Sequence, residues 1–545
     1  MRRLRIVTVS LALLAAAACS GQRPQEGAGA PPGGSPPASG ASPVAGGRLV
    51  YALSADTAGF NPVTDSFGSQ GYSMATTIIE PLVAVDAQGR WKPYLAESVT
   101  PNANADEWTI TVREGVSFSN GEKLDGEVVR ANLEAQKASP LTSAVFAPVG
   151  SFELAGPMTV KVKLRGPWVA FPYYLASQVG MVVPKASLAD PEGAGRRPVG
   201  TGPFLFKEYQ PGNRMVVTKN PAYWRKGLPY LDEIEFRILP DSQTRAQTLE
   251  AGGVDAMATT RDDDITKFGA LGGAYTVHRA SGMAVPEYVF ILNTAVAPLD
   301  DLRVRRALVH ALDRQAFSAT LRAGLTEVAD GPWSKDSPWY APGGDYPAHD
   351  PARAAALIKE VEAEKGPVAI TLHTTPDPNS LQGVELAQDM WRKAGVDVTV
   401  KQADQADMVT SAVTGRFNAM LSVSFSAQDP DGEYIWLHQN YARPVGEISI
   451  NTSRIKDLEL SAALDSGRSN PQPEVRKQAY ATVQKRLREL VPYIFVDHLS
   501  TGAVIARAGV RGIGEHTLPD GSPGLPLTGQ PTPHHPFGSV WLSRS

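Results

Sequence analysis

Cys19 is the only cysteine in 545 residues, so the chain can form no intrachain disulfide and no CxxC-type zinc or redox site. Its fold must therefore be held by packed apolar cores. The position of the cysteine narrows the problem further. Arg2, Arg3 and Arg5 head an uncharged stretch from Ile6 to Ala18, which is too short to span a bilayer and has the form of an export signal. The tract from Ser20 to Gly47 (SGQRPQEGAGAPPGGSPPASGASPVAGG) carries almost no large apolar side chain. It cannot bury enough surface to offset the entropy of ordering, so a flexible tether is expected there. Folded structure is expected to start near Arg48, where Leu49 to Leu53 (LVYAL) reads as a buried strand.

The run from Leu14 to Ser20 (LAAAACS) resembles the lipobox of bacterial lipoproteins. That resemblance implies cleavage before Cys19, acylation of its thiol, and a lipid anchor on the extracytoplasmic face of the cell membrane, the periplasmic side if the host has an outer membrane. The alternative is an ordinary signal peptide followed by an incidental cysteine. A flexible tether of this length spans roughly 30 Å, enough for a folded body to tilt above the bilayer.

About 500 residues remain beyond the tether, more than one hydrophobic core usually covers, so at least two domains are expected. The formal net charge is −4, and loss of residues 1–18 with their three arginines leaves −7. This mild acidity argues against a nucleic-acid partner, which would show as a basic excess or patch. No other run of 18 apolar residues occurs. Along the body, helical and strand patterns alternate without a fixed repeat. Leu302, Arg305, Arg306, Leu308, Leu312 and Phe317 fit one helix. Leu386, Met390 and Trp391 suggest another, followed by the alternating strand Val396, Val398, Val400. Val475, Ala479, Val483, Leu487 and Leu490 mark a third, stopped by Pro492 before the strand from Tyr493 to Val496. The fold class is mixed α/β.

Tests for catalytic motifs return nothing. Gly115 to Lys123 (GVSFSNGEK) looks slightly like a phosphate loop, but five residues separate its glycines and Glu122 would repel the phosphate. There is no HExxH and no GxSxG. The pair His534-His535 lies in a Pro-rich tail, where a metal site or plain solvated polar residues are both compatible with the pattern. No catalytic residue, metal or cofactor is assigned, and an enzyme is disfavoured.

Six segments point elsewhere. They are Phe60 to Pro62 (FNP), Ile78 to Ser98, Trp108 to Val129, Pro198 to Trp224 (PVGTGPFLFKEYQPGNRMVVTKNPAYW), Leu249 to Met257 and Leu292 to Arg314. In this order they resemble the family 5 extracellular solute-binding proteins, the oligopeptide, dipeptide and nickel receptors of bacterial ABC importers, and the resemblance spans the body from about residue 48. Most of the signature residues read as scaffold. Gly200 and Gly202 suit a tight turn into a strand, Gly212-Asn213 and Asn220-Pro221 suit turns, and Asp300 or Asp301 suits a helix cap. Arg305, Asp313 and Arg314 suit ion pairs along that helix.

The resemblance implies a two-lobed periplasmic-binding-protein-like fold with two hinge crossings and an extra domain inserted in lobe one. Lobe one would take residues 48–84, 199–287 and 499–545, the inserted domain 85–198, and lobe two 288–498. The crossings are expected near Tyr288 to Asn293 and near Val496 to Ser500, and closure about them would bury a solute for recognition by the permease. Peptide-binding relatives carry an aspartate in a W-x-x-D-Y-x-x-P segment that pairs with the peptide ammonium. The corresponding stretch here is Ser422 to Tyr434 (SVSFSAQDPDGEY), which places Ser426 or Ala427 at that position, and neither supplies the charge.

Candidate contacts are Ser66, Phe67, Gly68 and Ser69 after the FNP segment, and Tyr288 and Phe290 on the first crossing. Ser422, Ser424 and Ser426 could share one face of an extended segment beside Phe425, and Asp429 or Asp431 could substitute for the missing carboxylate from a shifted loop, or Asp429 to Gly432 could simply be a turn. The expected function is a lipid-anchored, monomeric receptor that delivers oligopeptides to ABC permease subunits. The alternatives are a receptor for an oligosaccharide, metal chelate or small natural product, or a solute sensor signalling through a partner.

Overall fold

The computed structural model describes residues 42–279, 285–322, 324, 326–424, 427–499, 502–525, 528–530, 532–534 and 536–543. The chain divides into two units, residues 1–42 and 43–545. Cys19 and nearly all of the tether lie outside the described residues, as do Phe425, Ser426 and His535; of His534 only the backbone is described.

The 43–545 unit is built on three main sheets. A seven-stranded mixed sheet has the order Tyr275–Arg279, Ala503–Arg507, Ala256–Thr259, Arg48–Leu53, Glu233–Ile238, Arg214–Lys219, Phe204–Gln210. The strand Arg48–Leu53 is central and runs parallel to both neighbours. This explains why residues 49–53 read as a continuous apolar run: a strand covered on both faces needs apolar side chains at successive positions. A six-stranded sheet has the order Glu327–Val328, Tyr493–His498, Glu287–Leu292, Ala419–Val423, Ala369–Thr374, Asp397–Gln402. A four-stranded antiparallel sheet, Ala96–Pro101, Glu107–Val112, Thr159–Leu164, Val149–Gly156, supports a separate core around Trp108, Trp168 and Phe171.

The six-stranded sheet positions the candidate site. In the strand Glu287–Leu292, alternate side chains enter different cores. Tyr288, Phe290 and Leu292 pack with Phe317 and Trp391, while Val289 packs with Trp333, Leu437 and Phe495 on the other face. The strand Tyr493–His498 pairs with it antiparallel. Both strands therefore belong to the six-stranded sheet; the seven-stranded sheet's strand ending at Arg279 precedes Glu287, and its strand starting at Ala503 follows His498. The two connections touch, since the Leu499 amide donates to the Pro286 carbonyl at 2.8 Å. The apolar run at Tyr288 to Leu292 that suggested a hinge strand is thus a strand of this sheet.

Aspartate caps start many of the helices. Asp125, Asp241, Asp301, Asp350, Asp377, Asp404 and Asp457 each accept a hydrogen bond from an amide of the first turn. Of the two cap candidates at 300 and 301, Asp301 takes the role. The helix expected across 302–317 is two helices, Leu302–Ala311 and Arg314–Arg322, broken where Asp313 accepts from the Ala316 amide at 2.9 Å. Arg305 forms no ion pair along it. It is buried and donates to the carbonyls of Leu299, Asp300 and Leu490 at 2.8, 3.2 and 2.9 Å, and Arg314 likewise donates to the Ala329 carbonyl. Gly200 and Gly202 are required by close approach. A Cβ on either would sit 2.0 or 2.6 Å from the Ile78 carbonyl oxygen.

Candidate functional site

A cavity of about 580 Å³ opens on the Val289 face of the six-stranded sheet, within the size range of small-ligand sites, which is roughly 300–1,000 Å³. Its floor is sheet: Glu287, Val289, Ile291, Met420, Ser422, Ser424, Tyr493 and Phe495. Its walls come from Met408, Val409, Ala412 and Val413 of the helix Gln405–Thr414, and from Glu433, Trp436 and Leu437 beside and on the short helix Tyr434–Leu437. Val409 and Val423, which line it, are exposed to 52% and 39%, so the apolar lining reaches open solvent. Among the described lining residues there are two carboxyl groups, Glu287 and Glu433, and no lysine or arginine.

The carboxyls are unusual. Glu287 begins the strand with 1% of its surface exposed. One carboxyl oxygen accepts from the Ser424 hydroxyl, and that hydroxyl in turn accepts from the Glu287 amide at 3.0 Å. The other oxygen, Oε1, has no hydrogen-bond partner and lies 3.8 Å from His498 Nδ1. Burial pulls His498 down to about 4, so a neutral ring faces the carboxyl and supplies no counter-charge. Burial, and then the proximity of Glu433, raise Glu287 well above the usual carboxylate range. Burial also pushes Glu433 up to about 8. Both carboxyls are thereby biased toward the protonated form, because each charge would be desolvated and unpaired.

The residues singled out from sequence divide. Ser422, Ser424 and Tyr288 line the cavity. Ser422 is paired opposite Val289 across the two strands, so alternation puts Ser422 and Ser424 on the face with Val289. Tyr288 also stacks under the Arg322 guanidinium at 4.9 Å. Phe290 is not brought to the cavity. It is fully buried and packs edge-on against Phe317 and Trp391, because strand alternation turns it into the opposite core. Ser66, Phe67, Gly68 and Ser69 do not line the cavity either. Phe67 and Ser69 are buried, with Phe67 against Tyr72, while Ser66 and Gly68 are exposed. Phe425 and Ser426 lie outside the described residues.

Asp429 is 2% exposed and is not offered to open space. Its Oδ1 accepts from Arg476 at 2.6 Å and from the Asp431 amide at 2.9 Å, capping the turn Pro430–Glu433. Asp431 is similarly committed. Arg468 donates to both its oxygens at 2.7 and 2.9 Å, and Trp168 Nε1 and the Tyr174 hydroxyl donate to Oδ2 at 2.7 and 3.0 Å.

Sequence reading overlooked Glu287, Glu433, Met408, Met420 and Trp436. Glu433 stands inside the Ser422 to Tyr434 stretch, where a carboxylate after Asp-Pro-Asp-Gly reads as turn surface. Glu287 opens an otherwise apolar run directly after Pro286, and a charge at a strand start reads as its solvent end.

Residues 90–444 match the family model of the bacterial extracellular solute-binding proteins, family 5. The glutathione-binding protein GsiB of Salmonella paratyphi A is 25% identical over 452 residues, covering 80% of this chain and 87% of that protein. The structure of the periplasmic binding protein AgaA from A. tumefaciens R10 with agropinic acid aligns at a TM-score of 0.76 and 25% identity, over 92% of this chain and 99% of the other. The binding protein DppA of Helicobacter pylori with the peptide STSA aligns at 0.77 and 21% identity, over 92% and 99%, and that likeness bears on the fold alone. The match along most of the chain, together with the two-lobed α/β fold, gives the identification: the chain belongs to the bacterial extracellular solute-binding proteins of family 5, the extracytoplasmic receptors of ABC importers.

Proposed function

We propose that this protein is a lipid-anchored, monomeric receptor that captures short peptides between its lobes and delivers them to the permease subunits of an ABC importer. In this reading residues 48–84, 199–287 and 499–545 act as lobe one, 85–198 as an inserted domain, and 288–498 as lobe two. The lobes close about the two chain crossings between the large sheets, next to the place where the Leu499 amide meets the Pro286 carbonyl. The observation that carries the proposal is the cavity itself: a lining of serine hydroxyls, aromatic rings and methionines, open at an apolar mouth, on the sheet whose central strands lead directly into both crossings. Serines 422 and 424 can hydrogen-bond a peptide backbone, Trp436, Tyr493 and Phe495 can cover apolar side chains, and Cys19 would carry the lipid that keeps the receptor near its permease.

The name of GsiB speaks of glutathione, itself a small peptide, and supports this class. The structure of AgaA holds agropinic acid, which favours a second reading, a small non-peptide solute, and the absence of a carboxylate at Ser426 or Ala427 supports it as well. The test is purification of the protein from its native host and mass spectrometry of co-purifying small molecules. A mixture of short peptides is the expected result, and recovery of a single sugar or natural product in place of peptides overturns the peptide reading.

A further inference from the structure

The carboxyls of the cavity have no internal use. Buried acids elsewhere in the described residues face a cation or several donors, although Asp429 Oδ2 and Asp497 Oδ1 are, like Glu287 Oε1, without a hydrogen-bond partner. Asp429 and Asp431 hold Arg476 and Arg468, and Glu80 accepts from Tyr94, Tyr223, Trp224 and Thr201 at 3.2, 2.6, 2.8 and 2.8 Å. Glu287 keeps one fully buried oxygen without a hydrogen-bond partner, and Glu433 lines the same cavity from the opposite wall with no cation beside it. An unpaired buried carboxyl oxygen costs free energy unless something from outside completes it. Much of the rest of the lining is apolar, with Met408, Met420, Leu437, Trp436 and Phe495 beside the hydroxyls of Thr375, Ser380, Ser422, Thr452 and Tyr493. Among the described residues no group of three or more metal-binding side chains is assembled, and the apolar side chains beside the carboxyls suit a cation that carries an apolar body.

Resting on the reading that this cavity holds the transported solute, we propose that Glu433 and Glu287 together receive the ammonium or guanidinium group of a cationic solute whose apolar body lies along the methionines and Trp436. The chemistry follows from the buried Glu287 oxygen that has no hydrogen-bond partner and from the second carboxyl in the same lining. A positive group beside the acids gives an ionised Glu433 a charge-assisted hydrogen bond, while Glu287, whose other oxygen Ser424 already holds, accepts from the same group as a neutral carboxyl.

The groups that face the pair are few. His498, on the strand paired with that of Glu287, stays neutral until about pH 4, and the Tyr493 hydroxyl beside Glu433 is held protonated by burial and by that neighbour. Asp330 and Lys335 act on His498 from the far side with opposite signs. Since the cation binds the ionised carboxylate and the empty Glu433 titrates near 8, binding at neutral pH must expel a proton. The affinity should fall about ten-fold for each pH unit below that point.

The experiment is isothermal titration calorimetry on the purified protein with n-hexylammonium and n-hexanol, which share one apolar body. The expected result is at least about ten-fold tighter binding of hexylammonium at pH 8, the low end for a charge-assisted bond. At pH 7 the heats measured in buffers of different ionisation enthalpy should report release of about one proton. Glu433→Gln, which keeps the size and the neutral charge of the empty side chain and so should fold normally, should abolish the preference while leaving hexanol binding unchanged. Glu287→Gln should weaken hexylammonium binding as well. Equal affinity for the two probes, absence of proton release, or an unaltered preference in Glu433→Gln overturns the inference. Competition with trialanine separates it from the reading beneath it. A cation preference that trialanine does not displace overturns the placing of peptides in this cavity and leaves the cation site standing. Displacement without any preference does the opposite.

Discussion

Asp431→Ala should cost this protein a large part of its stability and loosen the segment around Trp168 from the second lobe. The carboxylate is 1% exposed and receives four side-chain donor contacts: two from Arg468, one from Trp168 and one from Tyr174. Residues 168 and 174 belong to the segment that packs on the four-stranded sheet, and Arg468 ends a helix of the second lobe. The Arg468 guanidinium is also packed over the Tyr434 ring at 3.4 Å and the Trp168 ring at 5.3 Å. It therefore cannot turn to water when its partner is removed. Breaking one side of a buried ion pair costs about 3–5 kcal/mol, and stranding the indole N–H adds roughly 1 kcal/mol, while the Tyr174 hydroxyl keeps the Asp431 backbone carbonyl at 3.1 Å. Against a usual total of about 5–15 kcal/mol this is a severe change. Urea unfolding followed by tryptophan emission measures it, and a cycle with Arg468→Met isolates the pair. Because the double variant no longer buries a lone cation, it should recover at least about 1–2 kcal/mol of the loss. A single-variant loss below about 1 kcal/mol, or a double variant that is strictly additive, would refute the claim that this carboxylate ties the two regions together.

The acid pair of the cavity has a signature in stability as well as in binding. Glu433 and Glu287 titrate above the ordinary carboxylate value of 4.5 in the folded protein, so the folded state holds protons that the unfolded chain releases. Their stabilising contribution is complete below about pH 4.5 and is lost as pH rises, for Glu433 through about 8. The melting temperature should thus fall between pH 5 and 9 more steeply in the native protein than in Glu433→Gln; parallel thermal-unfolding profiles would exclude this origin. At the other end of the chain, Cys19→Ala should leave solute binding intact and release the protein into the medium or periplasm. Fractionation of cells that lack the permease checks this, and a variant still bound to membrane there would contradict a lipid anchor at that residue.

What was legible in the sequence was whatever depends on local pattern. The helix Pro473–Leu490, its stop at Pro492 and the strand Tyr493–His498 follow from spacing and from one missing amide. The break between the helices Leu302–Ala311 and Arg314–Arg322 escapes a reading by apolar spacing, which runs one helix through both; Asp313, which reads as an ion-pair member, accepts from the Ala316 amide instead. What else stayed hidden depends on partners far along the chain. Arg305 looks like a surface member of ion pairs, and only the Leu490 carbonyl, 185 residues away, makes it a buried clamp. Gly200 looks like a turn residue, but its need arises from the Ile78 backbone packed against it. Phe290 looked like a cleft aromatic because its strand was assigned to a crossing; pairing on both edges places it in a core.

The same distinction decides where the charge of the site resides. The turn Asp429-Pro430-Asp431-Gly432-Glu433 carries three carboxylates, and by sequence Asp429 or Asp431 could stand in for the one absent at Ser426. The structure assigns the first two to other work. Asp429 caps the turn and holds Arg476, and Asp431 holds Arg468 with the Trp168 and Tyr174 donors. Neither can turn toward a solute without abandoning a buried guanidinium, at a cost of about 3–5 kcal/mol each. A charge-assisted bond to a ligand, worth about 1.5–3 kcal/mol, does not cover that. Glu433 has no such obligation, since it lines the cavity with no lysine or arginine beside it. The turn is rigid because its two aspartates are occupied, and that rigidity aims the third carboxyl at the cavity in which Glu287 leaves an oxygen unsatisfied. An ammonium-reading role lost at position 426 is therefore most economically regained at 433, and the two aspartates that look like the obvious replacements are what hold it in place.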